Sequence, residues 1–334
     1  MLLVPFLTLV IDGCASQPGS NQPQINQEAL VELGTTLFFD TRLSGDGSIS
    51  CATCHDPSQA YGDGQALSET YPATEGFRNS KSLLNVAKRT TFFWDGQFQN
   101  AELETVTAHM ISEKLFLNMN EQLLTERLKQ MPEYVAMFEN SLGEIPSYEG
   151  VLTALSSFQE TLNTDVSEVL SEQAQRGKDL FEGKAACSSC HSGPTFSDGL
   201  PHQMGVSENV DIFNTPLRHT AFRLYLKDHG VAEYMGVRQD PGHFAVSGQD
   251  EHQRAFMTPS LLQVSETGPY MHNGLFSSLR EVVEFYNNRG LDLGEEESAD
   301  LVAYLKSLSG DYPRAVEPES PSYQVDPNWA EVSN

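Results

Sequence analysis

The sequence predicts a mainly α-helical chain of two tandem helical modules, and three observations support this prediction. The motif C-x-x-C-H occurs twice, and similar segments flank both copies. Apolar residues recur at helical spacing in four stretches of the chain, at residues 27–38, 101–163, 279–290 and 296–308. The 334 residues suffice for about two domains with cores of their own.

The expected helices of the first half begin and end at recognisable residues. The first helix carries apolar residues at helical spacing from Ala29 to Phe38. Pro132 suits the first turn of a later helix, and Gly143 suits the cap that follows it. Ser147 can cap the next helix. Residues 56–80 contain several glycines and are expected to form a loop.

In the second half, Ser278 and Glu281 have the spacing of a capping box, which opens a helix that ends near Gly290. A last helix follows over residues 296–308. Residues 200–256 have weak periodicity and are expected to be mostly loop.

Each C-x-x-C-H stretch is the attachment sequence of a c-type haem. The two cysteines bond to the haem vinyl groups, and the next residue is a histidine placed to bind the iron. A four-cysteine zinc site also uses C-x-x-C pairs, but it does not need a histidine directly after both pairs. We therefore predict two covalently bound haem c groups, held by Cys51, Cys54, His55, Cys187, Cys190 and His191.

The segments around the two motifs repeat in the same order. G-x-x-L-F precedes the motifs at residues 34–38 and 177–181, and aromatic-x-Asp-Gly follows them at residues 61–64 and 196–199. Three matches in register indicate a duplicated, cytochrome c-like module.

We expect four segments along the chain. They are an export signal and tether (residues 1–25), an N-terminal cytochrome c-like domain (26–165), a C-terminal cytochrome c-like domain (166–310) and an acidic, proline-containing, loosely packed tail (311–334).

The first residues predict export. The apolar run at residues 1–11 is too short to span a membrane. The segment around Cys14 resembles a bacterial lipoprotein processing site, with Cys14 as the candidate lipid-bearing residue; a plain secretory signal is the alternative. Both alternatives place the protein in the periplasm or outside the cell, where c-type haem is attached.

The formal net charge of −26 argues against nucleic acid or an anionic membrane surface as a partner. It favours solubility or a basic partner.

The residues opposite the two iron-binding histidines decide between electron transfer and catalysis, because an open sixth position can bind peroxide. No histidine lies between His55 and His109, and the loop after the first motif contains no methionine. This favours an open first haem. For the second haem, Met271, His272 and Tyr286 are the candidates, and periodicity alone favours a core role for Tyr286.

The chain resembles the bacterial di-haem cytochrome c peroxidase family, which includes MauG. The resemblance covers roughly residues 27–309 and includes both C-x-x-C-H motifs. The other matching stretches are 33–44, Arg78-Asn79, Leu84-Asn85, F-W-D-G at 93–96, T-P-S-L at 258–261, P-Y-M-H-N-G at 269–274 and the helix at 279–286.

The resemblance implies different roles for the two haems. The haem of His55 would meet peroxide, and the haem of His191 would supply electrons. Trp94 would lie between the haems and carry electrons. A calcium ion would be held by Asn79, Thr267 and Pro269, whose oxygen atoms suit Ca²⁺.

Two departures from the ordinary peroxidases matter. Residues 56–80 lack the histidine that must leave before peroxide binds, so reductive activation is not expected. Tyr286 occupies the position, fourteen residues after His272, at which MauG-like members have an axial tyrosine. The resemblance thus makes Tyr286 a candidate iron ligand.

The distal acid/base of the family is a glutamate about twenty residues after the tryptophan. Position 114 is lysine in this chain, so Glu113 is the preferred candidate, with His109 as a second.

These observations predict an oxidoreductase that reduces hydrogen peroxide with electrons from a small redox protein. A MauG-type enzyme that oxidises tryptophan or tyrosine side chains of a partner protein is an alternative. A non-enzymatic di-haem electron carrier is a second alternative, and it requires two six-coordinate haems.

Overall fold

A computed structural model describes residues 25–72, 74–166 and 169–323. The predicted export signal, with Cys14, and the end of the acidic tail lie outside these residues. The described chain is mainly helical, with three two-stranded antiparallel sheets. None of its helices has the length and apolar character needed to cross a membrane.

The first half contains the helices that the sequence predicted over residues 27–38 and 101–163. Pro132 lies in the first turn of its helix, Gly143 ends that helix with a φ of 70°, and Ser147 Oγ accepts a hydrogen bond from the Gly150 N–H. The described elements are α1 (Gln27–Phe39), α2 (Cys51–Cys54), β1 (Glu69–Thr70), β2 (Thr74–Glu75), β3 (Thr91–Phe92), β4 (Phe98–Gln99), α3 (Leu103–Ser112), α4 (Glu121–Lys129), α5 (Pro132–Leu142) and α6 (Tyr148–Glu160).

The second half confirms the capping box of Ser278 and Glu281 and the last helix. A π-helical turn over Asn287–Leu291, with a φ of 105° at Gly290, follows the helix that the box opens. The described elements are α7 (Glu172–Glu182), β5 (Pro201–His202), α8 (Asp211–Asn214), α9 (Pro216–Asp228), α10 (Phe244–Ser247), β6 (Phe256–Met257), α11 (Leu279–Tyr286) and α12 (Glu295–Ser307).

The prediction that residues 200–256 are mostly loop missed one long element, the 13-residue helix α9. Its buried face is narrow and its other positions are mostly basic or polar, which hides the helical period. That face covers the first half of the chain: the rings of Phe222 and Phe77 have centroids 5.4 Å apart, and Tyr225 lies 5.2 Å from Phe77.

The sequence repeat corresponds to a repeat of helix packing. Helix α1 crosses α6, and α7 crosses α12. At both crossings a glycine meets the opposite backbone so closely that an added Cβ would overlap a carbonyl oxygen, that of Ala154 for Gly34 and that of Asp300 for Gly177. The glycine is therefore a packing requirement of the crossing in both halves.

Aromatic rings next to these crossings also repeat. The rings of Phe38 and Phe158 have centroids 4.9 Å apart in the first half, and those of Phe181 and Tyr304 have centroids 5.1 Å apart in the second. Edge or tilted ring contacts at this distance stabilise a core beyond simple burial.

The tail was predicted to be loosely packed, and most residues of its described part, 311–323, are exposed. It has no helix, but Tyr312 is buried in the core of the first half. The Ala315 N–H donates to Tyr61 Oη at 3.0 Å, and Arg42 donates to the Pro321 carbonyl at 2.6 Å. The tail therefore returns across the first half of the chain.

Replacement of Gly34 by alanine should destabilise the haem-loaded protein by about 1–3 kcal/mol, because the new methyl group forces α1 and α6 apart. Urea unfolding followed by circular dichroism measures the effect. Gly236→Ala is the matched control, since the nearest atom to its added Cβ is 3.6 Å away. Equal stability of the two variants would contradict this account of the crossing.

Candidate functional site

The first C-x-x-C-H motif forms the short helix α2 and the turn after it. The Nδ1 atom of His55 lies 3.1 Å from the carbonyl oxygen of Tyr61, which has a left-handed φ of 57°. A proton on Nδ1, donated to this carbonyl, leaves Nε2 as the metal-binding atom. Burial lowers the pKa of His55 to about 4, so the imidazole is neutral, as an iron ligand must be.

The second motif repeats this geometry. The Nδ1 atom of His191 lies 3.0 Å from the carbonyl oxygen of Phe196, whose φ is 52°, and burial lowers the pKa of His191. Tyr61 and Phe196 are the aromatic residues of the repeated aromatic-x-Asp-Gly segment. The repeat therefore fixes the orientation of both histidines.

A further pair of repeated segments escaped the sequence analysis. Residues 82–86 read S-L-L-N-V and residues 260–264 read S-L-L-Q-V. Asn85 and Gln263 both have left-handed backbones, and both donate their N–H to a carbonyl just after the last helix of their half. The similarity of these two five-residue segments was the sequence signal that could have predicted a shared turn at Asn85 and Gln263.

A cavity of about 440 Å³ contains the second attachment site. Cys187, Cys190, His191 and Tyr286 line it together. Tyr286 therefore faces the cavity of His191, in addition to lying on the apolar face of α11. Burial raises the pKa of Tyr286 to about 12, and the nearby cysteines act in the same direction.

The wall of this cavity fits a haem. Two buried nitrogen atoms in it, Arg89 Nε and His272 Nε2, have no hydrogen-bond partner among the described residues. Buried polar groups are normally hydrogen-bonded, so these two nitrogen atoms indicate that a polar ligand binds in the cavity. The propionate groups of a haem offer the acceptors that they need.

The zinc alternative is not supported by the described residues. Among the described residues, one group of three side chains could hold a metal ion, and it consists of Cys190, Asp198 and His202. This group contains one cysteine, whereas a four-cysteine zinc site needs four.

Trp94 lies between the segment after the first motif and the second cavity. Its Nε1 donates to the carbonyl of Asn79 at 2.8 Å, and its ring lines the cavity that contains His191. The ammonium of Lys81 lies 4.8 Å from the ring centroid. Burial lowers the pKa of Lys81 to about 7, Arg89 adds to this, and Asp95 opposes it.

His109 and Glu113 lie one turn apart at the end of α3, and both are half-buried. The His109 ring contacts three phenylalanine rings at centroid distances of 5.0 to 5.9 Å, those of Phe93, Phe98 and Phe116. Burial lowers the pKa of His109, while Glu113 opposes this. Lys114, the residue where the resemblance implies a glutamate, pairs with Asp228.

The three candidate calcium ligands, Asn79, Thr267 and Pro269, line the same cavity. The side-chain NH₂ of Asn79 donates to the Gln65 carbonyl at 2.8 Å, which leaves Oδ1 as the oxygen that can bind a cation.

Arg78 forms a buried ion network that the sequence did not predict. It lies 2.6 Å from Asp95 and 2.8 Å from Asp240, and Tyr225 Oη donates to Asp95 at 2.6 Å. Burial alone would raise the pKa of both carboxyls, but Arg78 lowers the pKa of both. Arg78 and Asp95 stood in the motifs of the resemblance, whereas no sequence signal pointed to Asp240.

The fold and the paired attachment sites define a mainly α-helical protein with two cytochrome c-like haem modules in tandem. A family model described as "Di-haem cytochrome c peroxidase" matches residues 28–179. The cytochrome-c peroxidase IdrP2 of Pseudomonas sp. (strain SCT) is 41% identical over 314 residues, which cover 89% of this chain and 85% of that protein.

The methylamine utilization protein MauG of Methylorubrum extorquens is 32% identical over 315 residues, covering 87% of this chain and 81% of that protein. A solved MauG-like protein associated with microbial copper homeostasis shares the fold, with a TM-score of 0.72, 24% identity and coverage of 93% and 99% of the two chains. The chain belongs to the di-haem cytochrome c peroxidase family, which includes MauG. It is an oxidoreductase that acts on peroxide and carries two c haems.

Replacement of Arg78 by leucine should lower the free energy of unfolding by about 3–5 kcal/mol at neutral pH, because it leaves two buried carboxylates without a cation. Arg280→Leu is the control: this exposed arginine lies 4.0 Å from Glu284 and should matter by less than about 0.5 kcal/mol.

The difference between wild type and the Arg78 variant should depend on pH. The lowered pKa values of Asp95 and Asp240 contribute stability above the ordinary carboxyl pKa of about 4, and this contribution is lost as the pH falls through the lowered values. Unfolding measured from about pH 7 to pH 3 should show the difference shrink. A constant difference would contradict the ionic origin of the effect.

Proposed function

We propose that this protein reduces hydrogen peroxide at the haem site of His55, with electrons that arrive through the haem site of His191 from a redox protein. The observation that carries this proposal is the asymmetry between the two sites. Tyr286 faces the cavity of His191, whereas residues 56–80 contain neither histidine nor methionine. One site therefore has a candidate sixth ligand, and the other lacks one in the loop beside it.

A bound haem supplies an iron that binds a peroxide oxygen and accepts oxidising equivalents. The residues of this chain orient it and move protons. The carbonyl of Tyr61 accepts the Nδ1 proton of His55, which would leave Nε2 to bind the iron. Glu113 is the preferred group to accept a proton from one peroxide oxygen and return it to the other, which leaves as water. His109, whose pKa is lowered by burial, is the second candidate for this proton transfer. Two electrons and two protons complete the conversion of peroxide to two water molecules.

Trp94 is the proposed route between the two sites. Its ring lines the cavity of His191, and its Nε1 is hydrogen-bonded to the segment that follows the first motif. An indole is an easily oxidised side chain. Trp94 therefore supports electron exchange between the two haems.

A MauG-type reaction, in which peroxide drives the oxidation of tryptophan or tyrosine side chains of a partner protein, is the second candidate. Tyr286 favours this reaction, because the resemblance implies that MauG-like members have a tyrosine ligand where ordinary peroxidases have a methionine. Addition of peroxide to the fully oxidised protein separates the candidates. A lasting near-infrared band supports the MauG-type reaction, whereas reaction only after one-electron reduction supports an ordinary peroxidase.

The proposed ligand role of Tyr286 predicts a spectroscopic change in one haem. Tyr286→Phe should alter the optical and EPR spectra of one haem and leave a high-spin signal from the other unchanged. Tyr304→Phe, which changes a buried tyrosine in the core of the second half, is the control and should leave both spectra unchanged. Unchanged spectra in Tyr286→Phe would show that Tyr286 is a core residue and not an iron ligand. A resting protein without a high-spin ferric signal would contradict an open sixth position at the haem of His55.

The proposed acid/base role predicts slower reaction with peroxide. His109→Gln or Glu113→Gln should lower the rate by about 10²–10⁴-fold, according to which group moves the proton. Stopped-flow absorbance of the haem-loaded protein measures this rate. Lys129→Gln, which changes an exposed helix residue, is the control. Rates within a few-fold of wild type in both variants would exclude both residues from proton transfer.

We also propose a calcium ion at Asn79, Thr267 and Pro269, which line the same cavity. Incubation with a calcium chelator should then remove about one equivalent of Ca²⁺ per chain and perturb the haem spectra, and Ca²⁺ addition should restore them. Metal analysis that finds no calcium in the untreated protein would refute the site.

Export to the periplasm, with Cys14 as a candidate lipid attachment point, is the proposed location. Two covalent haem motifs support export, since c-type haem is attached outside the cytoplasm. Lipid analysis of the mature N-terminus tests the role of Cys14.

A further inference from the structure

Lys81 places its ammonium group over the ring of Trp94. Its Nζ lies 4.8 Å from the ring centroid and donates to the Phe93 carbonyl at 3.3 Å. Both side chains line the cavity that contains His191. A cation at this distance interacts with the negative face of an indole.

No carboxylate neutralises Lys81 by contact, since none of the ion pairs among the described side chains includes it. Asp95 is the carboxylate that acts on Lys81. Asp95 is already bound to Arg78 and Tyr225, each at 2.6 Å. The nearby indole therefore experiences much of the positive charge of Lys81.

The oxidised indole of Trp94 cannot become neutral by passing its Nε1 proton to a neighbouring base. Its Nε1 donates to the Asn79 carbonyl at 2.8 Å, and an amide oxygen is not a base that can take the proton. When Trp94 loses an electron, it therefore becomes a cation. That cation lies 4.8 Å from the Lys81 ammonium, so the two charges repel each other.

The internal repeat indicates that the lysine is not needed for the backbone at this position. Lys81 precedes S-L-L-N-V, and Pro259 precedes S-L-L-Q-V at the corresponding place in the second half. The serine of each copy accepts a hydrogen bond from the second leucine N–H, at 3.0 and 3.2 Å. The same turn thus forms with proline or lysine, and the ammonium occurs in the copy beside Trp94.

We propose that Lys81 acts through Trp94: its charge raises the free energy of the oxidised indole, so Trp94 passes electrons between the haems without staying oxidised, and the oxidising equivalents of peroxide remain on the haem pair. In the step that this charge disfavours, Trp94 gives one electron to the oxidised haem pair, which is reduced by one equivalent, and Nε1 keeps its proton. This inference rests on the proposed function, because peroxide is the oxidant.

Two variants test this role in the haem-loaded protein. Lys81→Met removes the charge at similar length, and Lys81→Arg keeps a permanent charge. The proteins are mixed with hydrogen peroxide at about pH 6, below the lowered pKa of Lys81, and frozen within milliseconds. EPR measures the tryptophan radical, peptide mass spectrometry measures oxidised Trp94, and the Soret band reports oxidation of the haems. Trp94→Phe in each background assigns the radical signal.

Lys81→Met should give about tenfold more Trp94 radical and more oxidised Trp94 than wild type, whereas Lys81→Arg should resemble wild type. Equal radical yields in all three proteins, with equal Soret changes, would overturn the inference alone. So would a signal that persists without Trp94, or an Arg variant that behaves like the Met variant. A shifted resting spectrum or lost haem in Lys81→Met, with no change in radical yield, would mean that Lys81 only binds the haem. No Soret change in wild type would overturn the proposed function and this inference together.

Discussion

The buried contact of Arg78 with Asp95 and Asp240 is the interaction on which the rest of the structure depends. It joins the two halves of the chain, because Asp240 belongs to the second half and Arg78 to the first. Buried charges are favourable only when every partner is in place, so Arg78, Asp95 and Asp240 cannot move far relative to one another. Asn79 follows Arg78 and Trp94 precedes Asp95 in the chain. The network therefore also restricts the positions of Asn79 and Trp94.

The two haem modules share one way of holding the iron ligand and differ in what surrounds it. In both, a carbonyl of a left-handed aromatic residue fixes the histidine, and a glycine allows two helices to cross closely. The differences lie in Tyr286, which faces the cavity of His191, and in Lys81, where the other copy has Pro259. Duplication thus accounts for haem attachment, and later divergence of single residues accounts for the proposed division of labour.

Segments of the second half also cover the first. Helix α9 packs on Phe77, and its Tyr225 donates a hydrogen bond to Asp95 of the ion network. The tail buries Tyr312 in the first core and accepts a hydrogen bond from Arg42. These contacts remove apolar surface from water, which stabilises the pairing of the halves beyond the ion pairs themselves.

The sequence by itself determined the haem attachment sites, the duplication, most long helices and several of their caps, because each depends on residues within a few positions of one another. Tertiary structure alone decided what distant residues form together. The bond from Arg78 to Asp240 spans 162 positions, and the contact of Lys81 with Trp94 depends on how two loops meet. Helix α9 was not predicted, because its apolar face is narrow and is buried by packing on Phe77, which is distant in the sequence. Local chemistry can be read along the chain, whereas the cavity that unites His191, Tyr286 and Trp94 exists only once the halves are packed.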